Sequence, residues 1–317
     1  MSEDPSASLP TRGPVTGKER PGDSQAVSRV AYLGPQGTFS EEALLSSVAR
    51  DSIEPVPRAT IYDTVRALRG GEVEWAIVPI ENSLDGSVSV TLDLLADEAE
   101  DVQIVGETLL TVEHSLIAAG PVQLEAIDTV ISHPKVPGQC ARFLRAELPH
   151  ARVLPASSTA EAVREVMASA EPGRAALGTK LAAEIYGGTV VREGVQDRDD
   201  NETRFLWLAQ SSDGVSPTPP LHDAGTAGED SWKTSLVFWG AGADSPGWLV
   251  RCLNEFARRE INLTKIESRP RRERLGHYMF FVDLEGAPQA EQSVSEAVSD
   301  VREICEEVRV LGSYPAA

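Results

Sequence analysis

The sequence predicts an α/β protein built in two folded blocks. Strand and helix signals alternate from about residue 29 to residue 210, the pattern left by largely parallel sheets with crossover helices. A stretch rich in Pro, Gly, Ser and Asp follows at 211–231, SSDGVSPTPPLHDAGTAGEDS; it sustains no period and reads as a linker. Residues 232–314 then run strand, helix, strand, strand, helix, strand, the βαββαβ order of a ferredoxin-like plait. The length of 317 residues agrees with two domains at roughly 150 residues each.

The elements of the first block follow in order. VAYLG (30–34) is a short apolar run stopped by Gly-Pro, and residues 41–48 carry helix formers. EWAIVPI (74–80) reads as a buried strand, and QIVGETLLTVEHSLIAA (103–119) as two strands or one long bent one. AIDTVISH (126–133) is a strand and CARFLRAEL (140–148) a helix. ARVLPAS (151–157) leads into the helix STAEAVREVMAS, and RAALGT (174–179) leads into KLAAEIYGG, where paired glycines stop the helix. RFLWLAQ (204–210) closes the block. In the second block the strands fall at 233–239, 261–269, 276–285 and 308–314, with helices at 247–260 and 289–306.

Residues 1–28 are rich in Pro, Gly, Ser and charge and nearly devoid of large apolar residues, so a disordered tail is expected there. The tail has neither the apolar stretch nor the small-residue cleavage site of a secretory signal, and a cytoplasmic protein is expected. No apolar run reaches about 18 residues, so no membrane span is expected. Asp and Glu total 49 against 29 Lys and Arg, a net charge of -20; a nucleic-acid binder would carry a basic surplus. Cys140, Cys252 and Cys305 are odd in number and widely spaced in the chain, suggesting neither a disulfide framework nor a zinc site. The five histidines lack metal-ligand spacing, so no metal is expected.

Several strand ends carry chemistry. Thr38 with Glu41, and Ser158 with Glu161, have the spacing of a capping box, and Gly178-Thr179 opens a third helix. Helix N-termini present free N–H groups and a positive dipole end. Three of them at the ends of parallel strands would make a cleft suited to carboxylates, although each alone also reads as an ordinary cap. In PIENSLDGSV (79–88), Glu81 and Asn82 end a buried strand, and Asn82, Ser83, Gly86 and Ser87 form a polar turn. SHPKVPGQC (132–140) places Ser132 and His133 at a strand edge and Gln139 at a helix start; His133 reads equally as a general base or a structural histidine. The acidic run DRDDNETRF (197–205) lacks the sixth-position Gly of a calcium loop, and its Thr203 and Arg204 open an apolar strand. GAGADS (240–245) lacks the third glycine of a dinucleotide loop, and RPRRER (269–274) reads as a solvated basic hairpin.

Together these motifs resemble the prephenate dehydratase family. The matching stretches are YLGPQGTFSEEAL (32–44), VPIENSLDGSV (78–88), HSLIA (114–118), ISHPKVPGQC (131–140), SSTAEAV (157–163), ALGTKLAAEIYGG (176–188) and NETRF (201–205). The second block resembles the ACT regulatory domain through SPGWL (245–249), IESRP (266–270) and HYMFFVDLEG (277–286). The resemblance implies a catalytic block of two lobes, in the manner of type 2 periplasmic binding proteins, with the active site between them. It implies that prephenate loses carbon dioxide and its ring hydroxyl to give phenylpyruvate, without metal or organic cofactor. It implies catalytic roles for Thr203, Glu81 and Asn82. Substrate contacts are expected from Thr38, Phe39, Ser40, Ser83, Gly86, Ser87, Ser132, Gln139, Ser158, Thr159, Gly178, Arg204 and Phe205. Phenylalanine is expected as an effector between paired ACT domains, near Ser245, Pro246, Gly247, Trp248 and Leu249 and near Glu267, Ser268, Arg269 and Pro270, with a dimer or tetramer as the assembly.

The sequence departs from the family pattern at Lys135, where Gln is usual, at Gly138 in the same loop, and at Trp248, where a small alanine is usual. Lys135 is either an extra cation for a dianion or a solvated lysine, and Trp248 either fills part of the effector pocket or reshapes it. Arogenate dehydratase, which acts on the amino analogue, shares the fold and nearly all of the motifs, and a non-catalytic amino-acid sensor is a further alternative.

Overall fold

The computed structural model describes residues 27–169, 171–211, 217–221, 231–240 and 245–317. The expected tail, most of the linker and the centre of GAGADS lie outside the described residues.

The first lobe contains β1 (Ser28–Leu33), α1 (Phe39–Ser47), β2 (Ile53–Arg58), α2 (Ile61–Arg69), β3 (Trp75–Asn82), β4 (Gly86–Ser87), α3 (Ser89–Asp93) and β5 (Val102–Thr111). The second holds β6 (Ser115–Ala118), β7 (Thr129–Ser132), α4 (Val136–Gln139), α5 (Ala141–Glu147), β8 (Arg152–Pro155), α6 (Thr159–Ser169), β9 (Arg174–Gly178), α7 (Lys180–Tyr186) and β10 (Thr189–Arg192). The chain then returns to the first lobe as β11 (Glu202–Gln210).

The first sheet has the order β2-β1-β3-β11-β5, with β4 beside β3, and the second has β10-β6-β9-β7-β8. The ladders β1–β2, β1–β3, β7–β8 and β7–β9 are parallel, whereas β11 runs antiparallel to β3 and β5, and β6 and β10 are also antiparallel to their neighbours. The expectation of largely parallel sheets is therefore corrected to mixed sheets. The chain crosses between lobes twice, at 112–114 and 193–201, and each crossing enters its new sheet beside a strand of opposite direction. The long segment 103–119 is two strands in two different sheets. The crossings brace each other: Val112 N donates to Asn201 O at 2.8 Å, and Val195 N donates to His114 O at 2.9 Å.

The sequence reading named no element between 49 and 73, where β2 and α2 lie. IEPVPR has two prolines, which a central strand would reject. As the edge strand beside β1, β2 accommodates their missing donors. α2 is capped by Thr60, whose hydroxyl accepts from Asp63 N at 3.0 Å, and it buries Val65, Ala67 and Leu68 against the sheet.

The last block consists of β12 (Trp232–Trp239), α8 (Trp248–Ala257), β13 (Leu263–Pro270), β14 (Tyr278–Glu285), α9 (Gln292–Ile304) and β15 (Glu307–Pro315). Its antiparallel order β13-β14-β12-β15 is the plait expected from the sequence. One face packs Leu236, Phe238, Val282 and Leu284 against Trp248, Cys252 and Phe256 of α8 and Val294, Val298 and Val301 of α9. The other packs Val237, Met279, Phe281, Leu311 and Tyr314 against Ile80, Leu92, Leu95 and Ile104 of the first lobe. Gly312 permits this docking, because a Cβ there would collide with the Ile104 backbone of β5.

Candidate active site

The cleft between the lobes has a volume of about 480 Å³ and is open to solvent. Lobe one contributes Leu33, Thr38, Phe39 and Ser40 from the β1–α1 junction, Pro79 and Asn82 from β3, Asp85 from the following turn, and Thr203 and Phe205 from β11. Lobe two contributes His133, Lys135, Val136, Gln139, Ser157, Ser158 and Thr159, and the crossings contribute Val112, His114 and Asn201. Of the residues expected at the site, Thr38, Phe39, Ser40, Asn82, Gln139, Ser158, Thr159, Thr203 and Phe205 line it together.

Strand alternation decides which neighbours share the cleft. Thr203 pairs with Asn82 in the β3–β11 ladder, and the next pair is Arg204 with Glu81. The first pair faces the cleft and the second faces the plait. Arg204 Nε lies 2.6 Å from Glu107 Oε2, its Nη1 lies 2.5 Å from Asp283 Oδ2, and its Nη2 donates to Tyr314 Oη at 2.8 Å. Glu81 Oε2 is 3.0 Å from Lys265 Nζ. The expectation that Arg204 and Glu81 touch substrate is corrected: both side chains hold the C-terminal domain.

Five further expectations move for equally local reasons. Ser132 is fully buried and donates to Leu177 O at 3.1 Å. Gly178 lies in the second-lobe core, where a Cβ would press into Val163. Ser83 braces the return crossing, donating to Asp200 O and accepting from Glu202 N at 3.0 Å. Ser87 turns toward β13, accepting from Lys265 Nζ at 2.8 Å and bonding to Glu267, while Gly86 is exposed in the turn at φ 79°.

Two of the three anticipated helix N-termini open into the cleft. Thr38 precedes α1, but its hydroxyl donates to Leu33 O at 2.9 Å and Glu41 accepts from Gly37 N, so the expected capping box is not formed. At α6, Ser158 Oγ accepts from Glu161 N at 3.0 Å, while the Glu161 carboxylate pairs with Arg164 instead of closing the box. The third terminus is sealed. Thr179 caps Ala182 N at 2.9 Å and donates to Gly37 O at 2.7 Å. Gly37 (φ 83°) packs so closely on Ala182 that a Cβ would sit 2.8 Å from its Cα.

Hydrogen bonding fixes the direction of the cleft's polar groups. Asn82 Oδ1 accepts from Leu84 N at 3.0 Å and Asp85 N at 2.9 Å, so its amide nitrogen must point the other way. That nitrogen donates toward Asn201 Oδ1 at 2.8 Å and Thr203 Oγ1 at 2.9 Å. Thr203 thus has an acceptor position filled, leaving its own O–H to donate into the cleft. His114 stacks edge-on against Phe39 at 5.3 Å, and burial holds its imidazole below the usual pKa, hence neutral. Its Nε2 lies 2.8 Å from Gln139 Oε1, which leaves the Gln139 amide group as a donor. At the mouth, Lys135 Nζ meets Asp85 Oδ2 at 3.1 Å, one residue from each lobe. His133 beside them is held below its usual pKa by burial and by Lys135. The sequence reading quoted Asn201 and His114 only inside motifs, and it considered Asp85, with Asp199, only as a partner for the ammonium of arogenate.

A second cavity, of about 280 Å³, lies in the plait and is lined by Ser245, Gly247, Trp248, Leu249, Val250, Gly276, Tyr278 and Phe280. Trp248 is tilted against Phe238 and Phe280, at 6.0 and 5.9 Å, and donates from Nε1 to Ile304 O at 3.2 Å. Pro246 borders it and accepts from Arg251. In β13 the side chains alternate. Glu267 and Arg269 turn to the first lobe, with Arg269 on Asp93 at 2.8 Å, while Ser268 and Pro270 are exposed. The Glu267 and Arg269 side chains thus pair with the first lobe and do not line this cavity.

Residues 30–213 match the family described as prephenate dehydratase, and residues 240–299 match the ACT domain. A prephenate dehydratase of Mycobacterium sp. (strain KMS) is 38% identical over 299 residues, covering 90% of this chain and 89% of the relative. The solved prephenate dehydratase of Arthrobacter aurescens in complex with L-Phe superposes with TM-score 0.79 at 32% identity, covering 90% of this chain and 89% of that one. A solved protein described as a novel type of quorum quenching acylase, GqqA, superposes with TM-score 0.78 at 28% identity, covering 91% of this chain and 98% of that one. The motifs, the two-lobed cleft and these similarities agree, and the chain belongs to the prephenate dehydratase family, with a C-terminal ACT domain.

Proposed function

We infer that this chain catalyses its family's reaction, the conversion of prephenate to phenylpyruvate in phenylalanine biosynthesis, and that Thr203 assists the departure of the ring hydroxyl. The observation carrying this reading is the Asn82–Thr203 contact at the cleft wall, which fills an acceptor position of the threonine hydroxyl and leaves its O–H available to donate. Aromatisation supplies the driving force, so the barrier lies in a hydroxyl that leaves poorly until it is hydrogen-bonded or protonated. The C–C bond to the ring carboxylate breaks, its electron pair enters the ring, and the C–O bond breaks at the opposite carbon. Carbon dioxide departs, and the leaving oxygen takes a proton to become water. A threonine is too weak an acid to surrender its own proton at neutral pH. Thr203 therefore donates a hydrogen bond and keeps its proton, and the open cleft connects the leaving oxygen to bulk solvent, whose hydronium and buffer acids supply the proton that completes the water. Glu81, turned to Lys265, has no part in that transfer.

The two substrate carboxylates fit the donors across the cleft: the N-termini of α1 and α6 and the Gln139 amide, held by His114. The ring carboxylate belongs beside Phe39, Phe205 and Val112, where weak solvation favours its loss as neutral carbon dioxide. Phenylalanine is the proposed effector in the Trp248 cavity; an ACT domain and the L-Phe complex of a similar enzyme support that reading. Exposed Val250, Ile266, Leu275 and Tyr278 on the plait support pairing with a second copy. The indole of Trp248 forms part of the cavity wall and leaves less room than an alanine.

Rates on prephenate and arogenate, measured side by side with and without phenylalanine, test this. Turnover of prephenate with at least a tenfold preference, lowered by phenylalanine, is expected. Preferential turnover of arogenate would move the substrate reading to the amino analogue, and no turnover of either would end it.

A further inference from the structure

Three cysteines widely spaced in the chain give no sign of pairing, yet the fold brings two of them together. Cys252, in the middle of α8, is fully buried, and Cys305, immediately after α9, is half-buried. Their sulfurs are 3.7 Å apart across 53 residues of sequence. A disulfide needs about 2.05 Å, so the sulfurs must close by roughly 1.7 Å. The third cysteine, Cys140, is buried in the second lobe, where burial raises its pKa to about 12, and it serves as an internal inert thiol.

We propose that Cys252 and Cys305 are a redox-sensitive thiol pair that closes to an intramolecular disulfide and thereby resets the wall of the Trp248 cavity. The surroundings give the link its leverage. Cys252 lies one turn beyond Trp248 on the same buried face of α8. Cys305 follows the Ile304 carbonyl that accepts from the Trp248 indole. The space is tight: a Cβ on Gly240 would lie 3.2 Å from both the Cys305 Cα and the Trp248 ring. Drawing the sulfurs together therefore shifts α8 against the α9–β15 junction, and Trp248 moves with it.

The oxidant is a peroxide. The S–H···S contact lowers the pKa of Cys252 and raises that of Cys305, so the pair's thiolate rests on Cys252, and the half-buried Cys305 edge is the side from which peroxide reaches it. The thiolate attacks a peroxide oxygen, the O–O bond breaks, and a sulfenic acid forms with release of water. The second sulfur displaces the sulfenic hydroxyl, the S–S bond forms and a second water leaves. The two sulfurs lose two electrons in all, and one hydrogen peroxide is reduced to two waters.

The effect on the cavity rests on the effector reading above, whereas the disulfide does not. The folded full chain is treated with hydrogen peroxide, digested without reduction and mapped by mass spectrometry, and phenylalanine inhibition is titrated before and after. Cys305→Ser and Cys252→Ser are treated in parallel, so that a folding defect in one leaves the other informative. The expected result is a Cys252–Cys305 peptide that disappears with dithiothreitol, and a rise of at least threefold in the inhibitory phenylalanine concentration that Cys305→Ser does not show. Absence of that peptide from oxidised folded protein would overturn the proposal. A disulfide with unchanged inhibition would overturn its coupling to the cavity. A disulfide in a protein that phenylalanine never inhibits would support the thiol pair and refute the effector reading.

Discussion

Thr203 and Arg204 are consecutive residues of β11 whose side chains leave opposite faces of one sheet, the hydroxyl into the cleft and the guanidinium onto Asp283 of the ACT domain. The strand that carries the Thr203 hydroxyl is therefore held from behind by the ACT domain. Glu81 and Asn82 repeat the arrangement on β3, with Lys265 behind and Thr203 in front. A displacement of the plait has a covalent route of one residue to the cleft.

Asp283→Asn tests that anchoring. Arg204, Glu107 and Asp283 are 11%, 1% and 9% exposed, so the removed charge leaves a buried guanidinium partly uncompensated. Loss of one member of a buried ion cluster costs about 3–5 kcal/mol, and retention of Glu107 places the expected cost near the low end, about 3 kcal/mol. Urea denaturation reads the stability. Well below the midpoint, kcat is expected to fall a few-fold with KM unchanged, because Asp283 braces β11 and touches no substrate.

Asn82→Asp reverses the polarity of the threonine contact. A carboxylate oxygen in place of Nδ2 accepts from Thr203 and draws its O–H away from the cleft. Single-turnover rates at saturating substrate should fall by about 100-fold or more, the scale for losing one aimed donor, and KM for the dianionic substrate should rise as well because of the added negative charge. Asn82→Ser, which retains a donor, should recover part of the rate.

How far the site was legible in the sequence follows from the period of two in a strand. The IEN and TRF motifs located Asn82 and Thr203, but a motif does not say which of two neighbours faces the ligand. Glu81 and Arg204 were consequently placed in the cleft, when their partners Lys265 and Asp283 lie about 180 and 80 residues away in the chain. Local signals served the plait well, because its six elements are consecutive. They served β2 poorly, because its prolines are tolerated only at an edge that topology creates. The Cys252–Cys305 contact left no local trace at all.

Lys135→Gln tests the cation at the cleft mouth. Its pair with Asp85 is solvent-exposed, with the lysine side chain 64% accessible, so stability should change by less than about 0.5 kcal/mol. The lost charge should raise KM for a dianionic substrate about three- to tenfold at unchanged kcat. Raising salt to about 1 M should shrink that difference by screening.

Glu42 gives a pH signature. Burial first, then the nearby Glu113 carboxylate, raises its pKa to about 7 from the usual 4.5. Below about pH 4.5 the carboxyl is neutral in both folded and unfolded chains and carries no penalty. Between 4.5 and 7 the unfolded chain ionises while the folded chain does not, so this group lowers stability as pH rises, and the penalty levels off above 7. Glu42→Gln should therefore leave the melting temperature unchanged at pH 4.5 and raise it by a few degrees at pH 8. Melting curves of both proteins across that range check the slope.

The most direct measurement is the single-turnover rate of prephenate decomposition by Thr203→Ser and Thr203→Val. Serine retains the donor, and valine keeps the shape without it. The account predicts that Thr203→Ser stays within about tenfold of the parent, while Thr203→Val loses about 1,000-fold or more with substrate binding intact, on the scale of removing a transition-state donor. A Thr203→Val enzyme within tenfold of the parent would contradict it.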